Sequence, residues 1–224
     1  MWVLQITDAQ TSRELMVNQK LDVILKLKIY LQDHHKVVIV DSYGPYVIAL
    51  TDGMILEENM REMGDGFVSL LEKENYAVRG CIFEDLDNTS QARDAYSRMT
   101  NCFAELCTVY PQRKIYSDSD VRYVQSCIAC VRQGEDTVAN CLLPIRKLKE
   151  TTDGDILIET LCTYLLDAES NSQRTGTLLY LHKNTVNYRL NKIRSILKCD
   201  LIQMPATLAV YQAAAIYRIL DSLR

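Results

Sequence analysis

Ser172-Gln-Arg-Thr-Gly-Thr-Leu-Leu-Tyr-Leu181 runs straight into His182-Lys-Asn-Thr-Val-Asn-Tyr-Arg-Leu190 and on through Asn191-Lys-Ile-Arg-Ser-Ile-Leu-Lys198. This stretch carries Arg174, Lys183, Arg189, Lys192, Arg194 and Lys198, and no Asp or Glu. The whole chain has a net charge of −4, so a segment of +6 leaves −10 for the remainder. Solvated helix faces usually alternate signs at i,i+4, and this one does not.

Periodicity divides the stretch into two helices with a turn between them. Val186, Leu190, Ile193 and Leu197 recur at steps of 4, 3 and 4, which gives the second helix, about 183–198, one apolar face. Gly176 stands where a first helix must pass close to a second, and Leu179 and Leu181 flank the turn. The outward set is then Lys183, Asn184, Asn187, Tyr188, Asn191 and Arg194, amides and cations able to meet phosphates and base edges. Asn187 is expected near the middle of that face, where an amide can pair with adenine. Arg174 and Lys192 are expected to hold phosphates, and His182 either caps the helix or donates to a phosphate. Thr185 and Arg189 complete the expected DNA-binding set. On periodicity alone an ordinary helical hairpin packed in a core is the favoured explanation, by about two to one; the absence of acids shifts the balance towards double-stranded DNA.

Working outward, the chain of 224 residues is long enough for one large domain or two small ones. Its composition is 48% hydrophobic and 24% charged, with 8 Gly and 4 Pro, which excludes collagen-like and disordered classes. The longest uncharged apolar run, Ala206 to Tyr217, is too short to span a bilayer. The first residues lack the basic start and apolar stretch of a signal peptide. A cytoplasmic protein without a membrane partner is expected. The modest negative charge means that any nucleic-acid site is local.

Upstream, strand and helix signals alternate. Trp2–Ile6 reads as a strand, and Thr11–His35 as a helix with Val17, Leu21, Ile24, Leu27 and Leu31 inward. Val37–Val40 and Tyr46–Leu50 read as a hairpin through Asp41-Ser42-Tyr43-Gly44-Pro45. Glu57–Lys73 has helical spacing with a weak point at Gly64-Asp65-Gly66. Tyr76–Phe83 is a further strand. Asp87 or Asn88 can cap a helix from Thr89 to about Tyr110, and Lys114–Tyr116 can add an edge strand. The order β-α-β-β-α-β predicts an α+β, ferredoxin-like domain over 1–117. Beyond Ser117 strand signals cease. Connecting helices are expected over 118–152, with Pro144 opening one, and an all-α domain over 153–224. That domain begins with a capping box at Thr152 and Asp155 and ends in a helix from about Pro205.

Residues 153–217 closely resemble the C-terminal helix-turn-helix of the purine-catabolism and carbohydrate-diacid regulators, the PucR/CdaR family. The resemblance rests on Leu161-Cys-Thr-Tyr-Leu165, on the nonapeptide His182–Leu190, on Lys192-Ile193 and on Cys199-Asp200-Leu201. Leu143-Pro144-Ile145 resembles the segment leading into that module. Lys183 replaces the family's usual Arg, Gly176 its usual Ala and Cys199 its usual Gly. The first half, more diverged, resembles the GGDEF-like domain that precedes the module, through Tyr76–Phe83, Ala92-Arg-Asp-Ala-Tyr96 and Lys114-Ile-Tyr-Ser-Asp118. No sensory domain of the kind many members carry is expected. The resemblance implies a transcription regulator. Two-fold sites suit two-fold proteins, so it is expected to act as a homodimer, its effector unknown.

An enzyme is not expected. A diguanylate cyclase needs a Gly-Gly-acid hairpin to cradle a triphosphate and its Mg²⁺, and Asp41–Tyr46 offers one Gly and a Pro. A non-DNA-binding dimeric interaction module remains the alternative, with a nucleotide-binding GGDEF-type domain behind it. No cofactor or metal is expected. The cysteines, Cys127-x-x-Cys130 included, read as packed thiols, and His34-His35 as the end of a helix.

Overall fold

The computed structural model describes residues 1–52 and 57–222. They form two compact units, Met1–Phe103 with Arg113–Arg122, and Ala104–Gln112 with Tyr123–Arg224.

In the first unit, five strands make one sheet in the order β2-β3-β1-β4-β5: β1 Trp2–Asp8, β2 Val38–Tyr43, β3 Tyr46–Thr51, β4 Tyr76–Ile82 and β5 Ile115–Ser117. β1 lies antiparallel to both β3 and β4, β2 antiparallel to β3, and β5 parallel to β4. The β2–β3 turn is tighter than the sequence suggests. Gly44 and Pro45 alone separate the paired Tyr43 and Tyr46, and Gly44 takes φ 58°. That left-handed conformation is cheap only for a residue without a Cβ.

Helices α1 (Val17–Gln32) and α2 (Glu57–Glu72) cover one face of the sheet. They bury Trp2, Leu4 and Ile6 of β1 together with Val23, Leu27 and Leu31 of α1 and Phe67, Val68 and Leu71 of α2. On the other face α3 (Thr89–Thr100) buries Ala95 and Met99, and its Tyr96 stacks edge-on against Tyr43 and Tyr46.

Two expectations are corrected by α1. The helix begins at Val17 and not at Thr11, because Asp8 Oδ1 first accepts the Gln10 and Thr11 amides in a turn. Its inward stripe is Val23–Leu27–Leu31, while Val17 and Leu21 are more than half exposed. Apolar residues occupy two faces of this helix, and spacing alone cannot tell which one the sheet covers. His35 lies past the helix end; it is buried, with Nδ1 2.6 Å from the Asp52 carbonyl.

The glycines of α2 are a packing feature, since the helix runs unbroken through both. A Cβ on Gly64 would lie 2.9 Å from Ile115 Cγ1 and 3.0 Å from Ile82 Cδ1, so the bare backbone is what lets α2 approach β4 and β5. The long helix expected over Thr89–Tyr110 is two, α3 and α4 (Phe103–Val109), broken at Asn101-Cys102. Asn88 caps α3, its Oδ1 accepting from the Gln91 amide.

The second unit is all helical and includes most of α4. α5 (Asp118–Arg132) begins in the first unit and, from Tyr123, belongs to the second; α6 (Glu135–Cys141), α7 (Leu143–Lys149), α8 (Gly154–Cys162), α9 (Ser172–Leu179), α10 (Lys183–Leu197) and α11 (Ala206–Asp221) follow. Pro144 stands in the first turn of α7, where its missing N–H costs nothing. The expected box at Thr152 and Asp155 is absent: Asp153 occupies the N-cap of α8, and its carboxylate reaches elsewhere, as shown below.

After Cys162 the chain widens into a π-helical turn, Thr163–Asp167, with the Ala168 amide bonding to the Thr163 carbonyl at 2.9 Å. The extra residue rotates Asp167 inward against Arg218 of α11. Arg218 Nη1 donates to Asp167 Oδ1 at 2.9 Å and to the Val109 carbonyl at 2.7 Å, with a second donor on the other carboxylate oxygen. Asp167 is 5% exposed, so its loss would leave the half-buried Arg218 guanidinium without its counter-charge. Asp167→Ala should therefore lower unfolding stability by about 3–5 kcal/mol in a denaturant titration. A change of under ~1 kcal/mol would mean that the pair contributes no more than an exposed one.

Candidate nucleic-acid interface

Asn171 starts α9 by accepting the Gln173 and Arg174 amides at 2.9 and 3.0 Å. The helix ends at Tyr180, which takes φ 56°, ψ 39°, a left-handed conformation uncommon outside glycine and asparagine. The chain then doubles back, and the Leu181 amide closes on the Gly176 carbonyl at 2.8 Å. A Cβ on Gly176 would lie 2.6 Å from the Leu181 oxygen. Even Ala forces the turn to widen by a few tenths of an ångström, and a branched side chain has no room. His182 then caps α10, its Nδ1 accepting from the Asn184 amide at 3.2 Å. Of the two roles considered for His182, the structure shows the cap.

α10 buries Val186, Leu190 and Ile193, as the spacing predicts, and leaves Leu197 half-buried. Its polar residues then divide by flank. Lys183, Asn184, Thr185, Tyr188 and Asn191 are exposed, Tyr188 by 69%. At 100° per residue, Asn184, Tyr188 and Asn191 lie nearly opposite the buried stripe. Asn187, expected at the centre of the outward face, is half-buried on a flank. Arg194 is half-buried too, with Nε on the Asp200 carbonyl at 3.0 Å and Nη1 on Asn191 Oδ1 at 2.9 Å.

The remaining flank turns to α8. Arg189 Nη1 donates to Thr160 Oγ1 at 3.1 Å, and Lys192 Nζ lies 2.8 and 2.7 Å from the two Asp153 oxygens. Both belong to the expected DNA-binding set, Lys192 as a phosphate contact; both are instead engaged within the domain. Arg174 is exposed, with Nη1 3.3 Å from Glu169 Oε2. Lys183 and Lys198 are exposed with no partner among the described residues. Sequence reasoning missed Tyr180, 96% exposed at the turn. Its signal was a non-glycine residue at the helix end, where a left-handed cap is common.

Residues 157–216 match the model of the PucR C-terminal helix-turn-helix domain. Over this segment the chain is similar to a PucR-type helix-turn-helix. The match runs from within α8 to within α11, so the two helices and the turn lie inside it. A crystal structure of a regulator of polyketide synthase expression from Bifidobacterium adolescentis aligns with 98% of this chain and 80% of its own, at 17% identity and a TM-score of 0.34. That is a loose likeness, too low to establish a shared fold. No curated protein matches the chain. Among the described residues, no helix is long and apolar enough to cross a membrane, and no group of three or more His, Cys, Asp or Glu is placed to hold a metal ion.

The Lys192–Asp153 pair has a pH signature. The Lys192 hydrogen bond holds the Asp153 carboxyl below its ordinary value. A carboxyl depressed in the folded state contributes stability above its unfolded pKa of about 3.9 and loses it as the pH falls towards the folded value. Lys192→Ala should thus melt earlier than the parent chain at pH 6, the gap closing below about pH 4. A gap independent of pH would show that the lysine acts through its stem alone. At the turn, Gly176→Val should destabilise the domain by roughly 1–3 kcal/mol through overpacking, with Gly176→Ala milder. Equal stability of all three in a thermal melt would contradict the close approach at Leu181.

Proposed function

We propose that the chain is a DNA-binding transcription regulator that acts as a homodimer, each copy presenting α10 to the major groove of double-stranded DNA. The supporting observation is the outward face of α10: Asn184, Tyr188 and Asn191 in line, Lys183 and Thr185 at the helix start, and no carboxylate anywhere from Ser172 to Lys198. Amide side chains there can pair with adenine N6 and N7, and the lysine with phosphate or guanine. Arg174, His182, Asn187 and Arg194 border this face and serve as backbone contacts. Arg189 and Lys192 hold α10 against α8 and so position the reading face without touching DNA.

The first unit is proposed as a ferredoxin-like, GGDEF-like domain without catalysis. Its support is the antiparallel order β2-β3-β1-β4 and the Gly44-Pro45 turn, which has no room for a nucleotide cradle. The boundary is proposed to serve the same division of labour, with 118–152 connecting that domain to a DNA-binding module over 153–224.

Two measurements test the reading. Duplexes selected from a random pool should bind with a negative log–log salt slope of about 0.9 per phosphate contact, roughly three contacts per protomer. A flat salt response, or no retention at low salt, overturns it in favour of an interaction module. On the selected site, Asn191→Ala should weaken binding by about 1–3 kcal/mol and relax base preference, while Lys192→Ala leaves preference and salt slope unchanged. If Lys192→Ala flattens the slope, the helix face is wrongly assigned.

A further inference from the structure

The free edge of the first unit's sheet is β2, which pairs with β3 on one side and with no described strand on the other. The register fixes what that edge offers. The Asp52 amide bonds to the Val37 carbonyl, and Ile39, Asp41 and Tyr43 follow in phase as the residues bonded to β3. The amides and carbonyls of Val38, Val40 and Ser42 therefore point away from the sheet. No Lys or Pro blunts this strand. Its single charge, Asp41, accepts the Ser42 amide at 2.7 Å, so Val38 and Val40 are the groups left open.

Beside this edge α1 carries an apolar stripe that its own unit does not cover. Val17, Leu21, Leu25 and Ile29 are 55–73% exposed. Their direction follows from the partners on the other side of the helix. Tyr30 donates to the Met63 carbonyl of α2 at 3.0 Å and packs on Phe67, and Lys26 pairs with Glu74 just past α2. That flank faces α2. At 100° per residue the opposite flank holds Val17 and Leu21, with Leu25 turned further out to solvent, and it overlooks the β2 edge. Lys20, between that flank and the sheet, reaches the Gly44 carbonyl of the β2–β3 turn at 3.1 Å.

We infer that this combined surface, the β2 edge and the outer stripe of α1, is where two copies of the chain meet. It rests on the regulator reading only in preferring a second copy to another partner. A two-fold axis at Val40 lays β2 antiparallel to its mate, with Val40 opposite Val40 of the partner subunit. The same operation brings the α1 stripe against its own copy, so one symmetric contact satisfies both features. A lone peptide strand would fill the edge and leave the helix bare. At on the order of 100 Å² for each large apolar side chain, the four stripe residues offer about 400 Å², half of the ~800 Å² per partner of a standard interface, and the strand edge beside them adds to it. An apolar patch of that size is at the upper end of what monomers expose.

Sedimentation equilibrium of the full chain, with and without Leu21→Glu/Leu25→Glu, tests the inference. The parent chain should be a dimer and the double variant a monomer, with circular dichroism unchanged because neither leucine is in the core. Val40→Pro is the second variant: its amide points away from β3, so proline leaves the β3 ladder intact and removes the central pair. Hydrogen exchange supplies a readout that no substitution can confound, since the Val40 amide should be protected at high protein concentration and exchange on dilution. A monomeric parent, a double variant that stays dimeric, or a Val40 amide that exchanges freely in the dimer overturns the interface. DNA retention by the parent chain is measured alongside. A dimer that ignores DNA sinks the regulator reading and leaves this interface standing.

Discussion

What α10 can touch is decided by what holds its inner side. Val186, Leu190 and Ile193 sink into the domain, and Arg189 and Lys192 are drawn to Thr160 and Asp153 of α8. These five anchors fix the rotation of the helix about its axis. Asn184, Tyr188 and Asn191 are outward, and the bond Asn191 accepts from Arg194 stays within α10. Gly176 sets the remaining degree of freedom, since the close approach of Leu181 fixes how α9 hands the chain to α10. The six cations thus divide. Arg189 and Lys192 organise the domain, Arg174 and Arg194 hold local partners at Glu169, Asp200 and Asn191, and Lys183 and Lys198 remain available to an external anion.

The first unit shows the same logic with the opposite outcome. α1 has apolar residues on two faces, and the sheet covers only the one with Val23, Leu27 and Leu31. The other lies beside a strand edge with open amides. A helix stripe and a strand edge that each lack a partner, placed side by side, form a self-complementary surface. For the regulator proposed above, such a surface would hold two half-sites at a fixed spacing, from which specificity grows.

Much of this was legible in the sequence where one signal dominated. The Val186–Leu190–Ile193 stripe stood out because its helix is apolar on one side only, and the hairpin of β2 and β3 because Gly44-Pro45 interrupts two β-branched runs. Legibility failed where the deciding partner is distant along the chain. Nothing near Lys192 marks it as an ion-pair partner of Asp153, 39 residues away. For the same reason Asp153, not Thr152, starts α8. Spacing placed Leu27 and Leu31 of α1 correctly and Val17 and Leu21 wrongly, because apolar residues on two faces satisfied it. The break between α3 and α4 at Asn101 was hidden by a stripe that continues in phase, Ala95, Met99, Phe103 and Leu106 all being buried.

The claim that α10 reads DNA with its Asn184–Tyr188–Asn191 face is open to one direct observation. Side-chain nitrogen resonances can be followed by NMR as a selected duplex is added to the full chain. The Asn184 and Asn191 side-chain amides should shift strongly on saturation, while the Lys192 ammonium and Arg189 guanidinium stay where their bonds to Asp153 and Thr160 hold them. Large shifts at Lys192 and Arg189, with the two asparagines unmoved, would contradict the account.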